Sequence, residues 1–252
     1  MTINIPKQTH KVYMDRTLAV GQDRYEEGRV YNVDSEIFNR LTVSDEEGKT
    51  PAACKVDFPS LDVIEQSIDY AVDVYKKQRE ELKAHPKYDD APSLRTHELQ
   101  ELRKELDKQV AEMKEKYEIE IQALQREVAD KMYTLQASED TAYLDVAMTQ
   151  LQFGNPVTTL QSLLLKADQV DEAGKLAILQ VFSGIADKVK SHKHYSYYEA
   201  SIEKKLSELY EKASNVPTIR ENERRLQQLD VLNENKSSVG ASYRMMKIIE
   251  KA

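Results

Sequence analysis

The chain has 252 residues, 32% of them charged and 40% hydrophobic, with a net charge of −8, 7 Gly, 7 Pro and no Trp. A charged share above the globular average and a hydrophobic share below it favour long helices with polar surfaces, and the acidic balance argues against a phosphate-backbone binder, which needs clustered Lys and Arg. A lone cysteine, Cys54, excludes an intrachain disulfide, the start MTINIPKQTH lacks the charged and apolar regions of a secretory signal, and no apolar run approaches the ~18 residues of a membrane span.

Residues 1–59 read as a small β-rich docking module. KVYM, LAV and RVYNV are rich in strand formers, and Gly28 in EEGR offers a hairpin or bulge position. VDSEIFNRL then starts a short helix: Asp34 can cap it, Val33 can staple onto Phe38, and Ile37 and Leu41 share the same face. Ala52 to Val56 returns as a closing strand. A piece this small buries little surface of its own.

Residues 60–153 read as a helical hairpin or rod. Ser60 is placed to cap a helix with Leu61, Ile64, Ile68, Val72, Tyr75 and Leu82 on one face. HPKYDDAPS ends it, and Ser93 can cap the next. In that next helix Leu99, Val110, Ile121 and Met132 recur every eleven residues, as do Leu102, Met113, Leu124 and Leu135, and Leu106, Tyr117 and Val128. An eleven-residue repeat means about 3.67 residues per turn, so the stripe runs nearly straight. Residues 94–150 are expected as one nearly continuous helix, broken at FGNP by Gly154 and Pro156. Its narrow apolar stripe needs partner helices, from this chain or another.

Residues 154–252 read as a helical bundle with the broadest apolar faces of the chain, including Leu160, Leu163, Leu164, Leu176, Leu179, Phe182, Ile185 and Val189. YYEASIEKKLSELYEKA continues it with Ile202, Leu206 and Leu209. Thr218 to Glu221 fits a capping box, SSVG ends that helix, and ASYRMMKIIEKA is a last short one. The fold class is therefore mainly α: a small N-terminal β-rich module, a long helical hairpin or coiled-coil rod with an eleven-residue repeat, and a C-terminal helical bundle.

Chemistry-bearing motifs are scarce. GxxxxGK[ST], GxGxxG and HExxH do not occur. A di-iron bundle needs Glu three residues before His, but Lys7, Leu82, Leu94, Val189 and Ser191 precede the five histidines at that spacing. SHKHYSYYEA gathers His192, His194, Tyr195, Tyr197 and Tyr198, and reads as a helix junction or protein contact before a metal or base-stacking site. Cys54 beside Ala52 and Ala53 reads as a small buried hydrophobe, and Met245 and Met246 as core or contact filler. No catalytic, cofactor-binding or metal-binding residue and no cofactor is expected, so the chain reads as non-enzymatic. The protein-contact candidates are Tyr25, Tyr31 and Phe38 in the module; Leu99, Leu102, Leu106, Val110, Met113, Tyr117 and Ile121 on the rod; and Tyr195 and Tyr198 in the bundle.

Within residues 11–57 a strand leads to Tyr25-x-x-Gly28-x-x-Tyr31-x-Val33, an acidic helix start at Asp34, Arg40-Leu41, a polar loop, and Ala52-Ala53 before Lys55-Val56. This order resembles a small module of virion-associated proteins of tailed bacteriophages. The resemblance implies a structural protein of the particle, head-associated or at the head-to-tail neck, made in the host cytoplasm and carried in the virion. Its implied partners are capsid, portal or neck subunits and further copies of itself, with no direct nucleic-acid binding and no membrane. A scaffolding or assembly chaperone, or a helical oligomeric binder of a host protein, are the alternatives.

Overall fold

A computed structural model describes residues 9–43 and 50–251. The first eight residues and most of the polar loop TVSDEEGKTP lie outside the described residues. Among those described, the chain is mainly α, with nine helices and a small antiparallel β part near its start. By contact it divides into two compact units: residues 1–126 with 226–252, and residues 127–225. The three consecutive segments expected from the sequence are grouped differently, because helices near the C-terminus join the N-terminal half.

In the first unit, β1 (Thr9–Met14) lies between β4 (Val30–Asp34) and β5 (Ala53–Lys55), with Val12 opposite both Tyr31 and Lys55. A separate hairpin pairs β2 (Leu18–Val20) with β3 (Asp23–Tyr25). It turns at Gly21, whose φ of 65° suits glycine. Strand alternation sends Val12 and Met14 into a cluster with Tyr25, Val33, Leu41, Ala52 and Ala53, leaving Lys11 and Tyr13 to the opposite face. Helix α1 (Ser35–Thr42) begins as expected, with Asp34 Oδ1 accepting from the Ile37 amide at 3.0 Å. Phe38 packs against the same cluster as Val33.

Helices α2 (Pro59–Ala84) and α3 (Pro92–Tyr133) follow, separated by a 3-10 turn at Pro86–Tyr88. Neither begins on its expected serine cap. Pro59 and Pro92 take the first helical position, where a missing N–H costs nothing, so Ser60 and Ser93 lie one residue inside. The eleven-residue rows of α3 are reflected in burial: Leu106, Tyr117, Val128, Val110 and Ile121 are buried, and Leu99, Leu102, Met113 and Leu124 half-buried. The rod does not reach residue 150. Residues 134–141 are non-helical, and α4 starts only at Ala142. Here the Asp140 amide donates to Ser138 Oγ and the Ser138 amide to the Ala173 carbonyl, so short polar side chains and a tertiary bond replace the helical ladder.

Later helices of the same unit cover α3. Gln125 Nε2 donates to Asp230 of α8 (Pro217–Glu234) at 2.7 Å, and Tyr243 Oη of α9 (Ala241–Lys251) donates to Asp107 Oδ1 at 2.5 Å. The β part is bound to helices too. Tyr13 Oη donates to Gln227 Oε1 and Gln228 Nε2 to Cys54 Sγ at 3.1 Å. Contacts therefore cross from the strands into residues 154–252, a segment that the sequence sets apart as a separate bundle.

The second unit packs α4 (Ala142–Phe153), α5 (Pro156–Gln169), α6 (Glu172–Lys190) and α7 (Tyr195–Ser214) around Leu151, Leu160, Ile178, Ile185, Ile202 and Leu209. FGNP separates α4 from α5 as expected, Asn155 Oδ1 accepting from the Val157 amide at 3.0 Å. Asp171 Oδ1 caps α6 through the Gly174 amide at 2.9 Å. The capping box at Thr218 does not form. Thr218 Oγ1 instead donates to Glu172 Oε2 at 2.6 Å, a tertiary bond to a better acceptor.

Candidate functional site

In the first unit most of the predicted contact side chains enter the chain's own core. Leu106, Val110, Tyr117, Ile121 and Tyr25 are buried, and Leu99, Leu102, Met113, Tyr31 and Phe38 are half-buried. Tyr25 and Tyr31 meet edge to face with ring centroids 5.2 Å apart, and Tyr31 Oη accepts from the Glu26 amide, so both order the hairpin. Phe38 lies 4.5 Å from the His10 ring. Apolar side chains that do stand exposed include Val63 and Tyr70 on α2, Leu94 and Ile119 on α3, and Met245, Ile248 and Ile249 on α9. Of these, Met245 reads from the sequence as core or contact filler; exposure depends on which side of an amphipathic helix its neighbours take.

The same unit holds an open groove of about 1090 Å³ lined by the strands, α2, Tyr117 and the connection between α8 and α9. Inside it Lys11 Nζ sits 2.8 Å from both Asp62 Oδ1 and Glu65 Oε1, and Tyr117 Oη donates to Glu65 Oε1 at 3.2 Å. Burial alone would lower the lysine pKa, but the bonds from the two carboxylates outweigh it and hold Lys11 above the ordinary value of 10.5. Burial, reinforced by the Glu65 charge, pushes Tyr117 far upward. A proton held this firmly suits a tie between sheet and helix, not proton transfer.

A second polar tie joins α2, α3 and α9. The Arg103 guanidinium stands 5.7 Å from the Tyr75 ring and 5.5 Å from the Tyr243 ring, pairs with Asp107 at 3.0 Å, and bonds Glu250, which also accepts from Tyr75 Oη at 2.9 Å. Burial would lower the arginine pKa, and its partners reverse that. The sequence gives no sign of this cluster, since its members lie on three helices with no shared period.

In the second unit Tyr195 is half-buried and donates to Glu203 Oε1 at 2.7 Å, which pushes its pKa up to about 12, while Tyr198 stays exposed. Tyr198 has non-helical angles (φ −122°, ψ 15°), a kink at the start of α7 that agrees with the expected helix junction. Tyr197, 86% exposed, and Phe153, 79% exposed, stand open, as does Tyr133 of the same unit. The His192 and His194 rings lie tilted to one another with centroids 5.5 Å apart. Among the described residues no group of three or more His, Cys, Asp or Glu is arranged to hold a metal ion, and no helix is long and apolar enough to cross a membrane. Comparison of the chain with protein-family models, with curated proteins and with solved structures gives no match.

Proposed function

We propose that the protein is a non-enzymatic structural component of a tailed-phage particle that docks on neighbouring subunits as part of a homo-oligomeric ring or layer. The observation that carries this reading is the sheet: β4 and β5 are both edge strands with no further strand beside them among the described residues, yet the sheet is tied to helices through Lys11, Tyr13 and Cys54. A rigidly mounted edge is suited to accept a strand from a neighbour. The module's resemblance to virion-associated proteins supplies the assembly. Exposed aromatic side chains such as Tyr70, Tyr197 and Phe153 add surface of the kind enriched in interfaces.

Quantitative mass spectrometry of gradient-purified particles, with cross-linking, tests it. The expected result is a fixed, multiple copy number and cross-links from Lys55 or Lys11 to a capsid, portal or neck subunit. Presence during assembly but absence from finished particles would replace it with an assembly chaperone, and a stable free complex with a host protein would replace it with a host-directed binder.

A further inference from the structure

The end of α6 in the second unit differs in charge from the rest of this acidic chain. A cleft of about 520 Å³ opens there, lined by Gln152, Phe153, Lys188, Ser191, His192 and Lys193. Between Asp187 and Glu199 the sequence carries Lys188, Lys190 and Lys193 and no carboxylate. Lys190 pairs with Glu203 at 3.4 Å, but Lys188 Nζ donates only to the neutral Gln152 Oε1, at 3.1 Å. Among the described residues neither Lys188 nor Lys193 has an ion-pair partner. Two lysine charges thus face a cleft that holds no acidic side chain.

His192 adds a directed donor. The residue is only 9% exposed, and its Nδ1 accepts from the His194 amide at 3.2 Å, which leaves the proton of the neutral ring on Nε2. Among the described residues no acceptor takes that Nε2–H. The carbonyl end of a helix would ordinarily repel an anion, yet here it is occupied: the Ser191 amide bonds the Asp187 carbonyl, Ser191 Oγ the Lys188 carbonyl, and the His192 amide the Val189 carbonyl. At the rim Phe153 presents an open ring.

Two ammonium groups and an N–H donor suit phosphate oxygens, and an exposed flat ring beside them suits a stacked base. We infer that this cleft binds a nucleotide, with its phosphate between Lys188, Lys193 and His192 Nε2–H and its base against Phe153. The volume falls within the ordinary range for small-ligand sites. The net charge of −8, which argues against nucleic-acid binding for the chain as a whole, averages over this local reversal.

Calorimetric titration of the full chain tests the inference with four probes: adenosine monophosphate, inorganic phosphate, adenosine, and a ten-residue oligodeoxyadenylate. Adenosine monophosphate should bind about tenfold more tightly than phosphate or adenosine, since it engages both halves of the site. Lys188→Gln with Lys193→Gln should weaken it about tenfold and reduce the salt dependence. Phe153→Ala should weaken the nucleotide but leave phosphate unchanged. These positions line an open cleft, and unchanged helical circular dichroism confirms each variant's fold. An oligonucleotide that binds more tightly than the mononucleotide, with loss in the lysine variant, identifies a single strand as the source; equal or weaker binding identifies the free nucleotide. No nucleotide binding at millimolar concentration, or binding indifferent to all three substitutions, overturns the inference.

Discussion

In the unit of residues 127–225, helices α4 to α7 follow one another in the chain and meet across an apolar core, with only Gly154 and Asn155 between α4 and α5. In the other unit, Lys11 reaches Asp62, Tyr13 reaches Gln227, and Arg103 reaches Glu250 across 147 positions. The first arrangement needs little more than amphipathic helices in order, because close neighbours in sequence lose little entropy on meeting. The second depends on polar ties whose partners must be brought from distant parts of the chain, and the charged ones, at Lys11 and Arg103, matter because their charges are partly withdrawn from water. One unit is held chiefly by surface burial between helices adjacent in sequence, the other by burial together with polar ties between distant parts of the chain.

Deleting residues 240–252 is the severest way to break the comparison. It removes the buried Tyr243 and Met246 and takes Glu250 from Arg103, which keeps Asp107 as its partner. The expected cost is about 3–6 kcal/mol, from ~1.5–3 kcal/mol for each of the two buried side chains. Hydrogen exchange should show lost protection throughout residues 9–126 and retained protection in 142–214. Retention in both would mean that α9 is an accessory of the first unit.

Ile185→Ala acts on the other side of the comparison. The side chain is fully buried, so about 3 kcal/mol should be lost, within the range for large-to-small core changes. The loss of exchange protection should now lie within 142–214. A loss spread evenly over both units would show that they unfold as one.

The polar ties can be tested alone. Lys11→Met should cost about 1–2 kcal/mol, a value discounted because Asp62 is 41% exposed. Lys11 holds its proton more firmly when folded, so its contribution is complete below the ordinary value of 10.5 and disappears as pH rises through the higher folded value. Tyr117, raised in the same direction, begins to lose its contribution above its ordinary value of 10.0. Urea titrations between pH 8 and 11 should therefore show falling stability at the alkaline end, and a smaller fall in the Lys11→Met, Tyr117→Phe protein. An identical fall would assign the alkaline sensitivity elsewhere. Gly28→Ala should have the smallest effect, about 1 kcal/mol, because φ is +73° there while the space around the new methyl group is open.

Legibility followed the same division. Helix α5, the break at Gly154 and Pro156, the Asp34 cap and the buried rows through Leu106 and Tyr117 all arise from signals within a few turns of one another, and all are found as read. The gap at 134–141 was hidden because Leu135 and Tyr143 continue a helical spacing while Ser138 bonds to Ala173, a residue no local pattern nominates. Gln227 and Gln228 were invisible as partners of the strands, since glutamine on a helix signals solvent until something covers it. The openness of Phe153 was likewise hidden, for a phenylalanine before a helix break reads as core.

Division of the first unit between the two ends of the chain also sets a timetable for synthesis. Residues 9–126 leave the ribosome about 100 residues before α8 and α9 complete their unit, a wait of roughly 5–20 s at ordinary elongation rates of ~5–20 residues per second. During that interval the α3 rows at Leu106, Val110 and Tyr117 lack part of their cover, whereas residues 127–225 can close as soon as α7 has emerged. The nascent chain therefore carries a finished bundle and an unfinished half at once, and the unfinished half is the stage at which a holding chaperone, or a neighbouring copy emerging from the same messenger, has surface to grip.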